Sequence, residues 1–359
     1  MGKMRPEILG AAVLFFIVGC AREEIGDARF ATGECRRVAL IDADTGASIV
    51  GAEDFAYDAV GKRLFFSSYD RRAAEKAAKR RQTAIPNGGV YSAALSDIFS
   101  ADASSISVKP LAAPGDVAGG LRPHGISYDA RKDELVFINR TYQRLNNKWE
   151  MLPRLQRIRA DGEMFVGAFD DAPCAANDVL VTTQQTFMSF DHGRCDWRAG
   201  IEDILKLKRS GLALGRDRRV YDRAGFANGL AQTADGMIAM AATRENAILL
   251  LKERSGAVEE FMRIDLPGGP DNLSIAGDGD IVAALHPSLW RLGLNRKMGV
   301  GKAPSRIVKV NSASGGVELL FDDPTGRLFS AATIAVETPY GLVAGSVTDE
   351  GVLVCREAV

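Results

Sequence analysis

Residues 226–239 read FANGLAQTADGMIA. The polar pair Asn228-Gly229 opens an apolar run, Ala234-Asp235-Gly236 supplies a turn, and Met237-Ile238-Ala239 begins a second apolar run. Gly and Asp are what tight turns between antiparallel strands require, so the stretch reads as a β-hairpin. Other stretches repeat the form. Glu53-Asp54-Phe55 runs to Leu64-Phe65-Phe66-Ser67, and His124-Gly125-Ile126 runs to Leu135-Val136-Phe137-Ile138. Asn177-Asp178-Val179 runs to Phe187, Asp271-Asn272-Leu273 to Asp280-Ile281-Val282, and Ala332-Thr333-Ile334 to Leu342-Val343-Ala344.

A unit recurring about every 50 residues points to a propeller or solenoid. Six such units predict an all-β chain, a six-bladed β-propeller with four-stranded blades. A pair of β-sandwiches is the competing fold, and it gives no reason for the same polar position to recur. Longer connections are expected at 69–120 and 288–330. Asp196–Ser210 and part of Arg140–Arg154 read as helical, and the basic segment Arg71–Arg81 as a solvated loop or short helix.

In a propeller the first residues of the inner strands ring the mouth of a central tunnel. That geometry gathers Glu53, His124, Asn177, Asn228 and Asn272. Carboxylate and amide oxygens are what a hard divalent cation takes, calcium above all. Asn and Asp also cap turns without binding anything, but turn-capping alone does not call for them at equivalent blade positions.

The N-terminus reads as an export signal. Lys3 and Arg5 precede an apolar run from Ile8 to Val18, too short to span a bilayer of about 30 Å. Ile17-Val18-Gly19-Cys20 resembles a bacterial lipobox, which makes 1–19 a lipoprotein signal peptide and Cys20 the lipidation site. The expectation is an exported bacterial lipoprotein of the cell envelope, held at the membrane by its lipid anchor. Ala21 after the cysteine points to the outer membrane, on its periplasmic side. Residues 20–34 would form a tether and 35–359 the propeller. Export permits disulfides among Cys35, Cys174, Cys195 and Cys355, which allow three pairings. A Cys35–Cys355 bridge would tie the chain into a ring, and Cys174–Cys195 would clip a single hairpin region. With 45 basic and 46 acidic residues the chain has no nucleic-acid footprint.

From about Cys35 to Cys355 the chain resembles the serum paraoxonase/arylesterase family of calcium-dependent lactonases, six-bladed propellers related to gluconolactonases. The residues that carry the resemblance are Glu53-Asp54, Pro123-His124-Gly125-Ile126-Ser127, Asn177-Asp178, Phe226-Ala227-Asn228-Gly229 and Asp271-Asn272, in that order. Cys35 and Cys355 fall where the family has its ring-closing disulfide. The resemblance implies two calcium ions. Glu53, Asn177, Asn228, Asp271 and Asn272 would hold the catalytic one; Asp54, Asp178 and the backbone carbonyl of Ile126 would hold a structural one. His124 matches a histidine implicated in activating water, and His192 and His286 fall at family-like positions. The chain departs from the family at Arg140, which follows Asn139 where a second histidine is usual. Arginine stays protonated and cannot relay a proton. Either His124 then acts alone, or Asp271 does the proton work, or the substrate differs.

The chemistry implied is hydrolysis of a lactone or aryl ester, the cation polarising the carbonyl and His124 or Asp271 activating water. No G-x-S-x-G elbow, H-E-x-x-H or C-x-x-C pair occurs to suggest serine or zinc chemistry. Two alternatives remain at this stage. One is a non-catalytic, calcium-stabilised propeller that binds a ligand or partner protein. The other is a sugar-lactonase-like enzyme on the same fold.

Overall fold

The computed structural model describes residues 26–100, 104–112, 115, 117–162, 165–254 and 257–357. The expected signal peptide and Cys20 lie outside the described residues. Among those described, the chain is almost entirely β, with twenty-four strands. Four sheets have four antiparallel strands each, in sequence order, starting at Pro123–Asp129, Ala176–Val181, Ala227–Gln232 and Gly269–Ile275. A fifth sheet has eight strands. In it, Cys35–Asp42 pairs antiparallel with Val352–Arg356 on one side and parallel with Ser105–Pro110 on the other. The N-terminal strand thus completes a group begun by Ala332–Thr338, Gly341–Ser346 and Val352–Arg356. It also joins that group to the hairpins that start at Ala52–Asp58.

The first strands of these groups pack side by side around a closed ring. Ala52–Asp58 lies against Pro123–Asp129, which lies against Ala176–Val181, and so through Ala227–Gln232, Gly269–Ile275 and Ala332–Thr338 back to Ala52–Asp58. Sheets stacked this way bury both faces of their middle strands, so those strands read as unbroken apolar runs rather than alternating ones. Ala247 to Leu251 are all buried, as are Leu64, Phe65 and Phe66. The core is accordingly a series of inter-sheet layers. Ile248 and Leu250, for example, pack with Ile281, Leu285, Val308 and Val310 of the next sheet. Each such side chain contributes roughly 1.5–3 kcal/mol by leaving water. The outermost strand Ala257–Asp265 carries Glu259, Glu260 and Arg263, charges that discourage edge-to-edge pairing.

The ring is closed covalently as well, since Cys35 opposes Cys355 in register and the two form a disulfide. Cys174 and Cys195 form the second bridge. The expected tether is partly docked: Phe30 is buried, and the N–H groups of Arg29 and Phe30 donate to the carbonyls of Leu319 and Leu320.

Among the described residues four α-helices interrupt the sheets: α1 (Arg71–Lys79), α2 (Leu95–Ile98), α3 (Ala199–Leu205) and α4 (Leu289–Met298). Asp70 caps α1 by accepting from the Ala73 N–H at 2.8 Å. The segment 140–154 is not helical as expected. It is the outer half of a long hairpin, Glu134–Leu145 with Lys148–Arg159, turning at Asn146-Asn147, both in left-handed conformation. That hairpin and α1 brace each other through Tyr142 and Trp149 against Ala74, Ala77 and Ile85. The basic segment is a short helix, as expected, with Glu75, Lys76 and Lys79 exposed, but the Arg71 side chain is turned inward and paired with Glu53. No helix among the described residues is long and apolar enough to cross a membrane.

Candidate functional site

The six first strands share one irregularity. Each loses register with its hairpin partner near its start: between Ala52 and Asp54, Pro123 and Ile126, Ala176 and Val179, Ala227 and Leu230, Pro270 and Leu273, and Ala332 and Ile334. The residues inside these irregularities are Glu53, His124-Gly125, Asn177-Asp178, Asn228-Gly229, Asp271-Asn272 and Thr333. A bulge re-aims side chains that strict alternation would send to opposite faces. Here it falls on the residues that the sequence singled out, and all of them except the glycines are buried polar groups.

The two glycines let neighbouring strands touch. A methyl group on Gly125 would lie 2.3 Å from Cα of Asp178, and one on Gly229 would lie 2.4 Å from Cα of Asn272. Two matching sets of hydrogen bonds span the strands beside these contacts. Asp54 accepts from its following amide, Phe55 N, at 2.9 Å and from Ile126 N at 2.8 Å. Asp178 accepts from Val179 N at 2.7 Å and from Leu230 N at 2.6 Å. Ile126 therefore meets Asp54 through its N–H. The Asp178 carboxyl also lies close enough to that of Asp54 for the two to interact. Burial and the neighbouring Asp178 push Asp54 well above the usual carboxylate range, and burial pushes Asp178 up to about 7.

Above this pair sit two carboxylate–histidine contacts. His124 Nδ1 is 2.6 Å from Glu53 Oε2, and His286 Nε2 is 2.6 Å from Asp271 Oδ2. The other ring nitrogen of each histidine is buried without a partner. Burial, and then the charge of Arg140, push His124 down to about 4. Its ring is neutral above that pH, and the Glu53 charge is balanced by Arg71 at 3.5 Å and by Arg140 nearby. Burial works against ionisation of Glu53, yet His124, and then Arg71 and Arg140, hold it at about 2. Asn228 donates to Asp271 and, at 3.3 Å, to Thr243. Asn272 and Thr333 both donate to the carbonyl of Glu53, at 3.0 and 2.7 Å.

Asn177 reaches Asp191 at 3.5 Å. Asp191 and Asp203 hold His192 between them, at 2.6 and 3.0 Å, and Asp203 also pairs with Arg244 at 2.9 Å. Burial disfavours charge on His192, but the two carboxylates prevail and raise it to about 10. Arg140 is buried and donates to the Tyr69 hydroxyl at 3.3 Å.

A cavity of about 400 Å³ opens over this cluster. Glu53, Asn177, Asn228, Asp271, His192 and His286 line it. His124, Asp54, Asp178, Asn272, Ile126 and Arg140 lie behind the wall. Several lining residues were not singled out from the sequence: Arg71 and Arg296 of the two helices, Asp191 and Asp203 around His192, and Trp290. Thr333 was visible as the opening of the sixth hairpin, and Asp191 as the neighbour of His192. Arg71 and Arg296 carry no local signal, because only the packing of α1 and α4 turns them inward.

Among the described residues, no three His, Cys, Asp or Glu side chains are gathered into a metal cluster. The donor chemistry still fits a hard cation. Asp54 and Asp178 are two buried carboxyls whose nearest donors are backbone amides, which leaves their combined charge without a cationic partner. Glu53 and Asp271 add carboxylates, and a half-turn of the Asn228 or Asn272 amide offers an oxygen in place of nitrogen.

No protein-family model matches this chain, and no curated protein matches it in sequence. Solved structures do match in fold. A structural-genomics protein assigned as a gluconolactonase superposes with a TM-score of 0.51 at 15% identity, covering 91% of this chain and 93% of that one. A Bacteroides thetaiotaomicron protein of unknown function gives a TM-score of 0.51 at 9% identity, over 89% of this chain and 74% of that one. A gluconolactonase from Xanthomonas campestris gives 0.48 at 16% identity, over 94% and 100%. The fold is thus that of gluconolactonase-like propeller proteins, at low sequence identity.

Proposed function

We propose that this chain is a calcium-dependent hydrolase of lactones or aryl esters built on a six-bladed β-propeller. The blade count is supported by dividing the eight-stranded sheet into two groups of four, joined by the parallel pairing of Cys35–Asp42 with Ser105–Pro110. One observation carries the functional reading. Six register shifts at equivalent positions bring Glu53, Asn177, Asn228 and Asp271 to the wall of one cavity, over the buried Asp54–Asp178 pair.

Glu53, Asn177, Asn228, Asp271 and Asn272 would hold one calcium ion, and Asp54, Asp178 and the Ile126 carbonyl a second. When bound, calcium supplies Lewis acidity toward a carbonyl oxygen and compensates the buried carboxylates. The chain's own residues do the rest. Asp271 is on the cavity wall and takes a proton from water at a carboxylate oxygen. His286 holds Asp271 through Nε2 and fixes its orientation. Asn228 ties the other Asp271 oxygen. His124 supports Glu53 from behind the wall, which favours Asp271 over His124 as the base. Leu289, Leu292 and Trp290 supply an apolar side for the organic part of the substrate.

The binding-propeller reading is favoured by a different observation: His124 does not line the cavity, and Arg140 replaces the second histidine. A panel of lactones and aryl esters, assayed with and without chelator, separates the two. Turnover that disappears with chelator and returns with calcium supports the hydrolase. No turnover of any substrate by calcium-replete protein leaves the binding reading.

A further inference from the structure

We infer that the cavity takes a ligand bearing a carboxylate, held by the guanidinium of Arg296 beside Arg71, with its apolar end against Trp290. The inference rests on the cavity being the substrate site, and it names the substrate class of that site.

The cavity's acidic groups are already engaged. Glu53 pairs with Arg71 and His124, Asp271 with His286 and Asn228, and Asp191 and Asp203 with His192 and Arg244. Arg296 and Lys297 also line the cavity. Neither makes an ion pair among the described residues, while every other lining cation does. Behind the wall, Arg140 is buried with an unbonded Nε, its charge acting on Glu53 and Asp191 without direct contact. The cavity wall therefore carries two cations, Arg296 and Lys297, with no carboxylate in contact among the described residues; Glu75 and Glu53 act on Arg296 from farther off.

Helices α1 and α4 bring Arg71 and Arg296 to one cavity wall. Arg71 stands in the first turn of α1, where the helix dipole disfavours a cation, and is held there by Glu75 at 3.1 Å and Glu53 at 3.5 Å. Arg72, the next residue, donates to the carbonyls of Asn295 at 2.5 Å and Arg296 at 3.1 Å, at the C-terminus of α4. This clamp pins the two helices together and sets Arg71 against Arg296. The charge of Arg71, and then burial, push Arg296 down to about 10, as expected of close guanidinium groups. Arg71 spends its charge on Glu53 and Glu75, whereas the Arg296 fork has no carboxylate in contact, and a ligand carboxylate matches that fork in shape. Trp290 is largely exposed beside them, with Leu289 and Leu292 on the same wall. An anionic head and an apolar body suit that arrangement.

The test compares 4-phenylbutyrate with 4-phenylbutyramide, which match in size and differ in charge, by isothermal titration calorimetry in calcium and again in EDTA. The expected result is tighter binding of the carboxylate by about tenfold or more in both conditions, weakening as salt rises. Arg296→Gln should remove the preference, and Trp290→Ala should weaken both probes alike. Lys297→Gln, at an exposed position, guards against loss of fold and should reduce the preference in part. Equal affinity for the two probes overturns the inference, as does a preference that survives Arg296→Gln. A preference present only in calcium also overturns it, since the carboxylate would then be reading the metal. Hydrolysis of neutral δ-valerolactone is measured alongside. Turnover without carboxylate preference sinks this inference and leaves the hydrolase reading intact. Preference without any turnover does the reverse.

Discussion

His286 Nε2 lies 2.6 Å from Asp271 Oδ2, while its Nδ1 is buried without a partner. The ring thus spends its one hydrogen bond on orienting Asp271. A residue that orients a metal ligand typically costs 10–100-fold in metal affinity when replaced, as a rough range. His286→Gln is expected to weaken calcium binding by that order, measured by titration calorimetry. Unchanged affinity would separate Asp271 from the metal.

Calcium bound only by the native state stabilises it by mass action, about 2.7 kcal/mol at a hundredfold excess over Kd. Exhaustive chelation should lower Tm, and calcium should restore it, because Asp54 and Asp178 are then left uncompensated. An identical melting curve after EDTA dialysis, with no metal found by elemental analysis, would reject both sites.

Gly229 and Gly277 make a matched pair. A methyl group at Gly229 meets the Asn272 backbone at 2.4 Å, while one at Gly277 meets nothing within 4 Å. Gly229→Ala should cost about 1–3 kcal/mol or more, since backbone must move, and should disturb Asp271-Asn272. Gly277→Ala should be close to neutral. Denaturant unfolding reads both, and equal effects would contradict the close packing of first strands.

His192 is raised to about 10 by Asp191 and Asp203. A raised histidine contributes stability that is fully present below its ordinary value near 6.5 and lost as pH rises toward 10. Stability of the parent should therefore fall between those limits. The difference between the parent and His192→Gln isolates this group from Asp178, which also titrates near there. A pH-independent difference would mean the imidazolium does not form.

Asn228→Ala and Asp271→Ala should remove most lactone hydrolysis, Asp271 by at least a general-base factor of roughly 10²–10⁴. Arg140→His rebuilds the histidine pair and should raise aryl-ester turnover if that pair is what such substrates need. Steady-state kinetics decide it. Parent-like activity in both alanine variants would end the catalytic reading.

The strands were legible because their signals are local. Asn228-Gly229, Ala234-Asp235-Gly236 and the apolar runs around them are read within a dozen residues, and the observed strands Ala227–Gln232 and Ile238–Ala242 follow them. The 140–154 segment misled because its polar, aromatic composition suits a helix face as well as a hairpin extending beyond its sheet. The outcome was set by Asn146-Asn147 in left-handed conformation and by packing against α1. Arg71 misled for the same kind of reason: in sequence it is one of several basic residues with Glu75 one turn on, and its contact with Glu53, eighteen positions away, is set by packing.

The residues alone determined the repeating hairpin, the polar position that opens each one, and the cysteines at the two ends of the ring. Each depends on backbone preference and hydrophobic pattern over short spans. Tertiary structure decided which of those polar residues face the cavity, which carboxylates lie against one another, and which cations remain unpaired. Those properties depend on distances between residues far apart in the chain. Glu53 with His124 and Arg72 with Asn295 are brought together when the ring closes, and no local pattern encodes them.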